Sequence, residues 1–354
     1  SAASDVYKRQ VKPDGTLWVW GDNSKGQLGL GDIVSRSSPT QVGALTNWKQ
    51  VSCGVLSVGA IKTDGTLWTC GDNVRGVLGD NTSVAKSSPV QVGSLTNWAS
   101  VSSGYDLTQG HMLALKTDGS IWGWGFNAYG QLGTSNTNNY SSPVLISSDV
   151  WSKILTGDQS SAAVKTDGTL WVWGFNGSGQ LGLGDIVSRS SPVQVSSIDV
   201  WLDIAPSRNR MEGIKSNGTL WSWGDNAYGE LGLRDLVHRS SPVQVGSLTN
   251  WKTVFAGVST SYAILYSPES QDLGQRYISK DYLLDVYPNI ASATGNRTSP
   301  GLWSWGNNDG GALGLGDIVH RSSPTQVGTL TTWQRLTGGY LGSSFAIKND
   351  GTLW

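Results

Sequence analysis

The sequence predicts an all-β fold, a β-propeller built from four-stranded antiparallel blades, on three observations. An aromatic phrase, "LWVWG" at residues 17–21 and its variants, recurs about every 50 residues through the 354-residue chain. Each unit holds four strand-sized pieces separated by turn sequences. Glycine and tryptophan are abundant, with 47 and 18 residues, which indicates many tight turns and one aromatic residue type used repeatedly. A repeat of this length with four short strands is typical of a propeller blade.

The second and third strands of each unit are predicted to form a hairpin. A Trp-led segment such as "NWKQVSCG" (47–54) comes first, and a short apolar run, "AIK" (60–62), follows it. An Asp-Gly pair at 64–65 separates this run from the next aromatic phrase. Asp-Gly between two apolar runs predicts a tight hairpin, because glycine adopts positive φ without steric cost.

The third strand is apolar on both faces. In the first unit Trp18 and Trp20 share one face, and Leu17 and Val19 share the other. Such a strand must be covered on both sides, and face-to-face stacking of units around a ring supplies that cover. We expect the tryptophans of this phrase to fill the gaps between blades. They are Trp18, Trp20, Trp68, Trp122, Trp124, Trp171, Trp173, Trp221, Trp223, Trp303 and Trp305.

A proline-containing segment, "SSP", is predicted to begin the fourth strand. Proline donates no hydrogen bond to a sheet, so it is tolerated at the first residue of a strand or on an edge. The fourth strand is therefore expected at the outer edge of the blade. The prolines concerned are Pro39, Pro89, Pro143, Pro192, Pro242 and Pro324.

The Gly-rich loop after the aromatic phrase carries a family resemblance. "GDNSKGQLGLGD" (21–32), "GFNGSGQLGLGD" (174–185) and "GDNAYGELGLRD" (224–235) resemble the regulator of chromosome condensation repeat, with its Trp-Gly-x-Asn-x-x-Gly-Gln-Leu-Gly phrase. The resemblance covers about residues 11 to 354, and Val77 and Ala312 are local departures from its glutamine. It implies a propeller of seven blades, each of four antiparallel strands.

The chain is interpreted as one propeller domain over residues 11–354. Residues 1–10, "SAASDVYKRQ", match no repeat, and "DVYKRQ" is the translation of one frame of a sequencing adapter, so this segment is interpreted as non-native. Six full repeats are flanked by partial strands at 17–20 and 353–354. We therefore expect a fragment of a seven-bladed ring that is open or strained at its last strand.

Composition argues against several functional classes. Charged residues make up 14% of the chain and the formal net charge is −1, so no electrostatic footprint for nucleic acid is expected. No apolar run is long enough to span a bilayer, and the compartment stays open. Cys53 and Cys70 stand where sister repeats carry other residues, which argues against a disulfide or zinc site. We expect no cofactor, no metal and no catalytic residues.

A repeated acid and base, four residues apart, follow the Gly-rich loop. A ring of binding groups is one interpretation, but an ion pair that holds each loop is favoured, because repetition indicates architecture. The pairs are Asp32 and Arg36, Asp185 and Arg189, Asp235 and Arg239, and Asp317 and Arg321. His238 and His320 replace Ser35 and Ser188 in these loops and are interpreted as surface variants, and His111 is expected in a small rim loop.

One insert interrupts the repeat, at residues 268–301. It replaces an Asp-Gly turn, so it should project from the face of the ring that carries those turns. Its middle, "ISKDYLLDVYP", could form two helical turns that Pro288 ends. Tyrosine and arginine are typical anchors of protein contacts. The candidate partner-binding residues are Arg276, Tyr277, Tyr282 and Tyr287. A flap folded over the propeller face is the alternative interpretation.

The favoured function is a monomeric, non-enzymatic scaffold that binds a protein partner through its rim loops and the insert. The resemblance also implies two alternatives. One is guanine-nucleotide exchange on a small GTPase, as some relatives perform. The other is a structural module of a larger surface or virus-particle protein. Fold alone does not decide among them.

Overall fold

The computed structural model describes residues 8–104, 110–265, 301–328, 330, 333–338, 344–348 and 352. This part of the chain is all-β, apart from one 3₁₀ turn at Asp309–Gly311. Its strands form antiparallel sheets that follow one another along the chain. Consecutive sheets pack against each other, as blades of a propeller do. The predicted fold class is confirmed.

Seven sheets, termed blades 1–7, are built from the described residues. Five have four strands, and the first and last have three and two. They are blade 1 (β1 Lys8–Val11, β2 Leu17–Gly21, β3 Arg36–Gln41), blade 2 (β4 Trp48–Cys53, β5 Ser57–Lys62, β6 Leu67–Gly71, β7 Lys86–Gln91), blade 3 (β8 Trp98–Ser103, β9 His111–Lys116, β10 Ile121–Gly125, β11 Tyr140–Ser147), blade 4 (β12 Trp151–Thr156, β13 Ser160–Lys165, β14 Leu170–Gly174, β15 Arg189–Gln194), blade 5 (β16 Trp201–Pro206, β17 Arg210–Lys215, β18 Leu220–Gly224, β19 Arg239–Gln244), blade 6 (β20 Trp251–Ala256, β21 Thr260–Leu265, β22 Leu302–Gly306, β23 Arg321–Gln326) and blade 7 (β24 Trp333–Gly338, β25 Ser344–Lys348).

The Asp-Gly hairpin is confirmed, and blade 2 shows why the sequence forms it. Gly65 has φ +77° and donates its N–H to the Lys62 carbonyl at 3.0 Å, so a residue with a Cβ would be strained there. Asp64 Oδ1 accepts hydrogen bonds from the Thr66 hydroxyl at 2.6 Å and the Thr66 N–H at 3.0 Å. These bonds hold the pKa of Asp64 below its usual value. The turn is therefore fixed by both the glycine and the carboxylate.

The prediction that proline begins the fourth strand is wrong, although the edge position is confirmed. β3 begins at Arg36, so Pro39 lies inside it. The pairing of β2 with β3 shifts between Val19↔Thr40 and Gly21↔Arg36, and Pro39 lies within that irregular stretch. A residue in a bulge on an edge strand has no ladder bond to lose, which explains how the proline is tolerated.

The Gly-rich loops of blades 1 to 5 pack on the next blade. The loop of blade 4 packs on the indole of Trp223 in blade 5, whose Nε1 donates to the Gln180 carbonyl at 2.9 Å. Gly182 has φ +69°, and a Cβ on it would lie 2.7 Å from Trp223 Nε1. Further out, Gly184 N–H donates to the Ser240 carbonyl of the outer strand β19 at 2.7 Å. The phrase that carries the family resemblance is therefore the joint between blades.

β1 includes part of the segment interpreted as non-native. Lys8, Arg9 and Gln10 pair with β2 opposite Trp20, Val19 and Trp18. Strand pairing does not reveal the origin of these residues, so the assignment of residues 1–10 stays a prediction.

Candidate functional site

The propeller presents two faces that differ in their loops. The turns between first and second strands and the Gly-rich loops meet at one end of the blades, as the Phe126 N–H to Gly110 carbonyl bond of 3.0 Å shows. We call this end the loop face. The opposite end, the hairpin face, carries the Asp-Gly turns and the connections to the next blade, joined for example by the Trp201 N–H to Gly168 carbonyl bond of 2.9 Å.

The insert leaves and re-enters at the hairpin face. Ile264 pairs with Leu302, and Leu265 N–H donates to the Gly301 carbonyl at 3.2 Å, so the flanking strands form the usual hairpin of a blade. The candidate partner-binding residues Arg276, Tyr277, Tyr282 and Tyr287 lie outside the described residues. Their role stays a prediction.

A buried asparagine organises each loop of the loop face. Asn176 is fully buried, its Oδ1 accepts the Leu181 N–H at 2.9 Å, and its Nδ2 donates to both the main chain and the carboxylate of Asp185. Equivalent asparagines are fully buried in the other loops: Asn23, Asn73, Asn127, Asn226 and Asn308. One side chain thus satisfies main-chain groups at both ends of the loop, which holds its shape.

The favoured interpretation of the repeated acid and base is confirmed, because each pair forms an ion pair within its own loop. The nitrogen–oxygen distances are 2.5 Å for Arg36–Asp32, 2.5 Å for Arg189–Asp185, 2.6 Å for Arg239–Asp235 and 2.6 Å for Arg321–Asp317. A bond from the Val187 N–H, and then Arg189, lowers the pKa of Asp185. The charges are therefore engaged with each other and fix the outermost part of the loop.

Between each paired acid and base the loop exposes two apolar side chains, which we call the apolar tips. Ile186 is 66% exposed and Val187 58% exposed. Sequence reasoning missed these residues, although "DIV" and "DLV" recur after the glycines. The apolar tips are Ile33 and Val34, Ile186 and Val187, Leu236 and Val237, and Ile318 and Val319. Four blades thus present an apolar Ile-Val or Leu-Val pair on a loop that an ion pair holds.

Blades 3 and 4 add aromatic residues to the loop face. The ring centroids of Phe126 and Tyr129 lie 6.2 Å apart, and those of Tyr129 and Phe175 lie 5.0 Å apart across the two blades, both edge to face. We call these three residues the aromatic sector. Tyr129 is exposed and the two phenylalanines are half-buried.

The expectation of a rim loop around His111 is wrong for the histidine itself. His111 is the first residue of β9 and is fully buried. Its Nε2 lies 2.9 Å from Ser161 Oγ in blade 4, and that hydroxyl donates to the Gln131 carbonyl at 2.7 Å. The serine hydrogen is used by the carbonyl, so His111 Nε2 donates. His111 therefore joins blades 3 and 4, and its side chain is fully buried.

His238 and His320 replace serines without changing the loop. Ser35 Oγ accepts the Asn23 N–H at 3.1 Å, and the Nδ1 atoms of His238 and His320 accept the equivalent Asn226 and Asn308 N–H groups, each at 2.9 Å. Nδ1 of His238 also lies 2.9 Å from Asp225 Oδ1.

A buried ion pair in blade 5 was not foreseen from the sequence. Arg210 Nε lies 3.3 Å from Glu212 Oε1, and both side chains are almost completely buried. Arg210 also donates to the main chain of blade 6, at the carbonyls of Gly257, Val258 and Thr260. Burial raises the pKa of Glu212 to about 7, although Arg210 and Ser261 oppose the shift. The pair clamps one blade to the next.

The predicted packing tryptophans occupy two environments. The second tryptophan of the phrase is fully buried in blades 3 to 6, as Trp124, Trp173, Trp223 and Trp305. The first is half-buried, and in blades 1 to 5 a lysine ammonium lies over its ring, for example Lys215 at 3.5 Å from Trp221. The Trp-led strands contribute a third set, buried in clusters that span two blades, such as Trp98 with Leu67.

Potential metal ligands are dispersed over the described residues. No group of three or more potential metal ligands occurs among them. Both cysteines are free, and burial raises the pKa of the Cys70 thiol to about 12. No helix in the described part of the chain has the length and hydropathy needed to span a membrane.

These features define a class of protein, a β-propeller whose blades carry Gly-x-Leu-Gly loops. The RCC1-like domain family matches residues 11–271, and the Regulator of chromosome condensation (RCC1) repeat matches residues 301–344. The chain belongs to the RCC1-like family.

Known proteins match the chain at low sequence identity. The Ultraviolet-B receptor UVR8 of Arabidopsis thaliana is 27% identical over 153 residues, which span 41% of this chain and 33% of the receptor. Yeast RCC1 (Prp20) bound to Kap60 is 19% identical, with a TM-score of 0.75 over 98% of this chain and 79% of that one. Human WBSCR16 is 21% identical, with a TM-score of 0.72 over 94% of this chain and 82% of that one.

Proposed function

We propose that the chain is a non-enzymatic scaffold that binds a protein partner through the loops of its loop face. The apolar tips carry this proposal. Exposed apolar side chains are ordinary when scattered singly, but here an Ile-Val or Leu-Val pair recurs at the same loop position in four blades. A partner that covers several tips at once gains apolar burial from each blade, at roughly 25 cal/mol per Å².

Hydrogen bonds within each loop hold the apolar tips in place before a partner binds. Asp185 is bonded to Asn176, the Val187 N–H and Arg189, so Ile186 and Val187 stand on a backbone that is already fixed. Binding to such a surface loses less conformational entropy than binding to a mobile loop. The insert on the hairpin face is a second proposed contact, which rests on its residue types alone.

Relatives support a macromolecular partner. Yeast RCC1 is described in complex with Kap60, and the structure of Prp20p from Saccharomyces cerevisiae is described together with its binding to Gsp1p and histones. Guanine-nucleotide exchange on a small GTPase is the alternative function, and a module of a larger surface or virus-particle protein is another.

Affinity capture with matched variants tests the proposal. Ile186→Ser with Val187→Ser removes one tip, and Ile318→Ser with Val319→Ser removes another. Ile198→Ser is the control, because Ile198 is 88% exposed in a connection at the hairpin face. The partner that wild type retains should be lost when the tips are changed and kept by Ile198→Ser. Retention by every variant would contradict the proposal, and accelerated nucleotide release from a captured GTPase would favour the exchange function.

A further inference from the structure

We propose that the aromatic sector of blades 3 and 4 binds a proline-rich peptide in the polyproline II conformation. This inference rests on the proposed protein-binding function and names a partner chemistry for one part of the loop face. It is carried by two buried hydrogen-bond donors, by the aromatic side chains of the same loops and by the absence of unpaired charge in those loops.

The donors are the side-chain amides of Gln131 and Gln180. Both side chains are almost fully buried, and Nε2 of each has no hydrogen-bond partner among the described residues. Their orientations are fixed, because Gln131 Oε1 accepts the Tyr129 N–H and Gln180 Oε1 accepts the Ser178 N–H, each at 2.9 Å. If either amide were flipped, its NH₂ group would face the main-chain N–H of Tyr129 or Ser178, and neither group could accept. A buried donor without an acceptor costs on the order of 1–3 kcal/mol.

Blade 1 shows which hydrogen-bond acceptor Gln131 and Gln180 lack. Gln27 occupies the same position there, and its Oε1 accepts the Lys25 N–H at 2.8 Å. Its Nε2 donates to Asp22 Oδ2 at 2.8 Å. Blades 3 and 4 carry Phe126 and Phe175 where blade 1 has Asp22. The exchange of a carboxylate for a ring therefore removes the acceptor and leaves the donor in place.

The other blades do not share this arrangement. Blades 2 and 6 have Val77 and Ala312 at the glutamine position, so they have no donor to satisfy. Blade 5 has Glu230, an acceptor, whose Oε2 receives the Tyr228 N–H at 2.8 Å. Unsatisfied glutamine and phenylalanine occur together only in blades 3 and 4 of the described chain, and these blades are neighbours.

The aromatic side chains and the charge pattern define the ligand. Tyr129 bridges the rings of Phe126 and Phe175, at centroid distances of 6.2 and 5.0 Å. The loop of blade 3, residues 126–140, has no charged residue. In blade 4 Asp185 pairs with Arg189, and Asp158 pairs with Arg208 of blade 5 at 3.5 Å, so the charges near Phe175 are paired. The surface therefore suits an uncharged ligand that has flat apolar groups and free acceptor oxygens.

A proline-rich peptide has this chemistry. Proline has no backbone N–H, so the peptide offers carbonyl acceptors without a donor of its own that must be satisfied. Its rings pack on aromatic side chains, and it is already extended before binding. A neutral oligosaccharide would also stack on the rings, but each hydroxyl brings a donor as well as an acceptor. Because the glutamine amides are buried, a ligand reaches them only when the side chains that cover them move.

The double variant Phe126→Asp with Phe175→Asp tests the proposal. It restores the Asp–Gln arrangement of blade 1, so the loop should fold, and thermal unfolding should show no loss of stability. Decaproline is the probe, titrated by calorimetry and by NMR of the glutamine side-chain amides. Wild type should bind it with shifts at Gln131 and Gln180, and the double variant should bind at least tenfold more weakly. Tyr228→Ser, in the neighbouring blade 5, is the matched control and should bind as wild type does.

Three results would overturn the proposal: no saturable binding of decaproline to wild type, equal binding by the double variant, or binding of cellohexaose in place of the peptide. The apolar tips remain intact in the double variant. Partner capture that persists while decaproline fails would overturn this inference alone. If the wild-type protein binds decaproline but captures no protein partner, the proposed function is refuted instead.

Discussion

The indole Nε1 of Trp223 in blade 5 donates to the main-chain carbonyl of Gln180 in blade 4, at 2.9 Å. Trp173 makes the same bond to the Gln131 carbonyl at 2.9 Å, and Trp124 bonds to the Val77 carbonyl at 2.8 Å. In blades 3, 4 and 5 the tryptophan of one repeat therefore donates to the main chain of the preceding repeat. This contact makes the aromatic phrase and the Gly-rich loop parts of one joint.

The first prediction concerns that tryptophan. Trp223→Ala should destabilise the protein by about 3–5 kcal/mol, because it empties a fully buried position between two blades. Trp221→Ala is the matched control, since Trp221 is half-buried and should cost less. Urea unfolding followed by circular dichroism measures both. Equal losses would show that the two positions pack alike.

Gly182 offers a second prediction. Gly182→Ala adds a methyl group 2.7 Å from Trp223 Nε1 at φ +69°, so it adds a clash to backbone strain. Gly246→Ala is the control, because Gly246 has φ +64° and open space around a Cβ. The control should lose only the backbone term of about 1–2 kcal/mol, and Gly182→Ala should lose more. A melting temperature for Gly182→Ala at or above that of the control would contradict the close packing of Gly182 against Trp223.

Glu212 should make stability depend on pH. Its folded pKa of about 7 is above its ordinary value of 4.5, so the folded state favours the protonated form. The resulting stability is fully present below pH 4.5 and is lost as pH rises through 7. Glu212→Gln removes this titration, so the melting temperature of the variant relative to wild type should rise between pH 5 and pH 8.

Asp118→Asn is the control for that experiment. Hydrogen bonds from Ser120 lower the pKa of Asp118 below its ordinary 3.8, so its titration lies below the tested range. The difference between this variant and wild type should stay constant from pH 5 to pH 8. A constant difference for Glu212→Gln as well would show that Glu212 does not titrate there.

Features repeated along the chain could be predicted from the sequence, because each depends on contacts within one unit. The Asp64–Gly65 turn and the Asp185–Arg189 pair are local, and the alternation in "LWVWG" marks a strand that is covered on both faces. Because these local signals recur from unit to unit, they predicted a propeller.

Contacts between blades could not be predicted in the same way. His111 meets Ser161, and Arg210 meets the turn at residues 257–260, each about one repeat further along the chain. The unsatisfied amide of Gln131 becomes visible only when the Asp22–Gln27 bond of blade 1 is known. A comparison of residues 22 and 126 across the repeats was the signal that could have found it.

Photocrosslinking tests the central claim, that the loop face binds a protein partner, most directly. Val187→p-benzoylphenylalanine places a crosslinker on an apolar tip, and Ile198→p-benzoylphenylalanine places one at the hairpin face. After irradiation in native extract, the protein that affinity capture identifies should be joined to the position 187 variant and absent from the position 198 variant. Adducts with that protein at position 198 alone, or equally at both positions, would contradict the account.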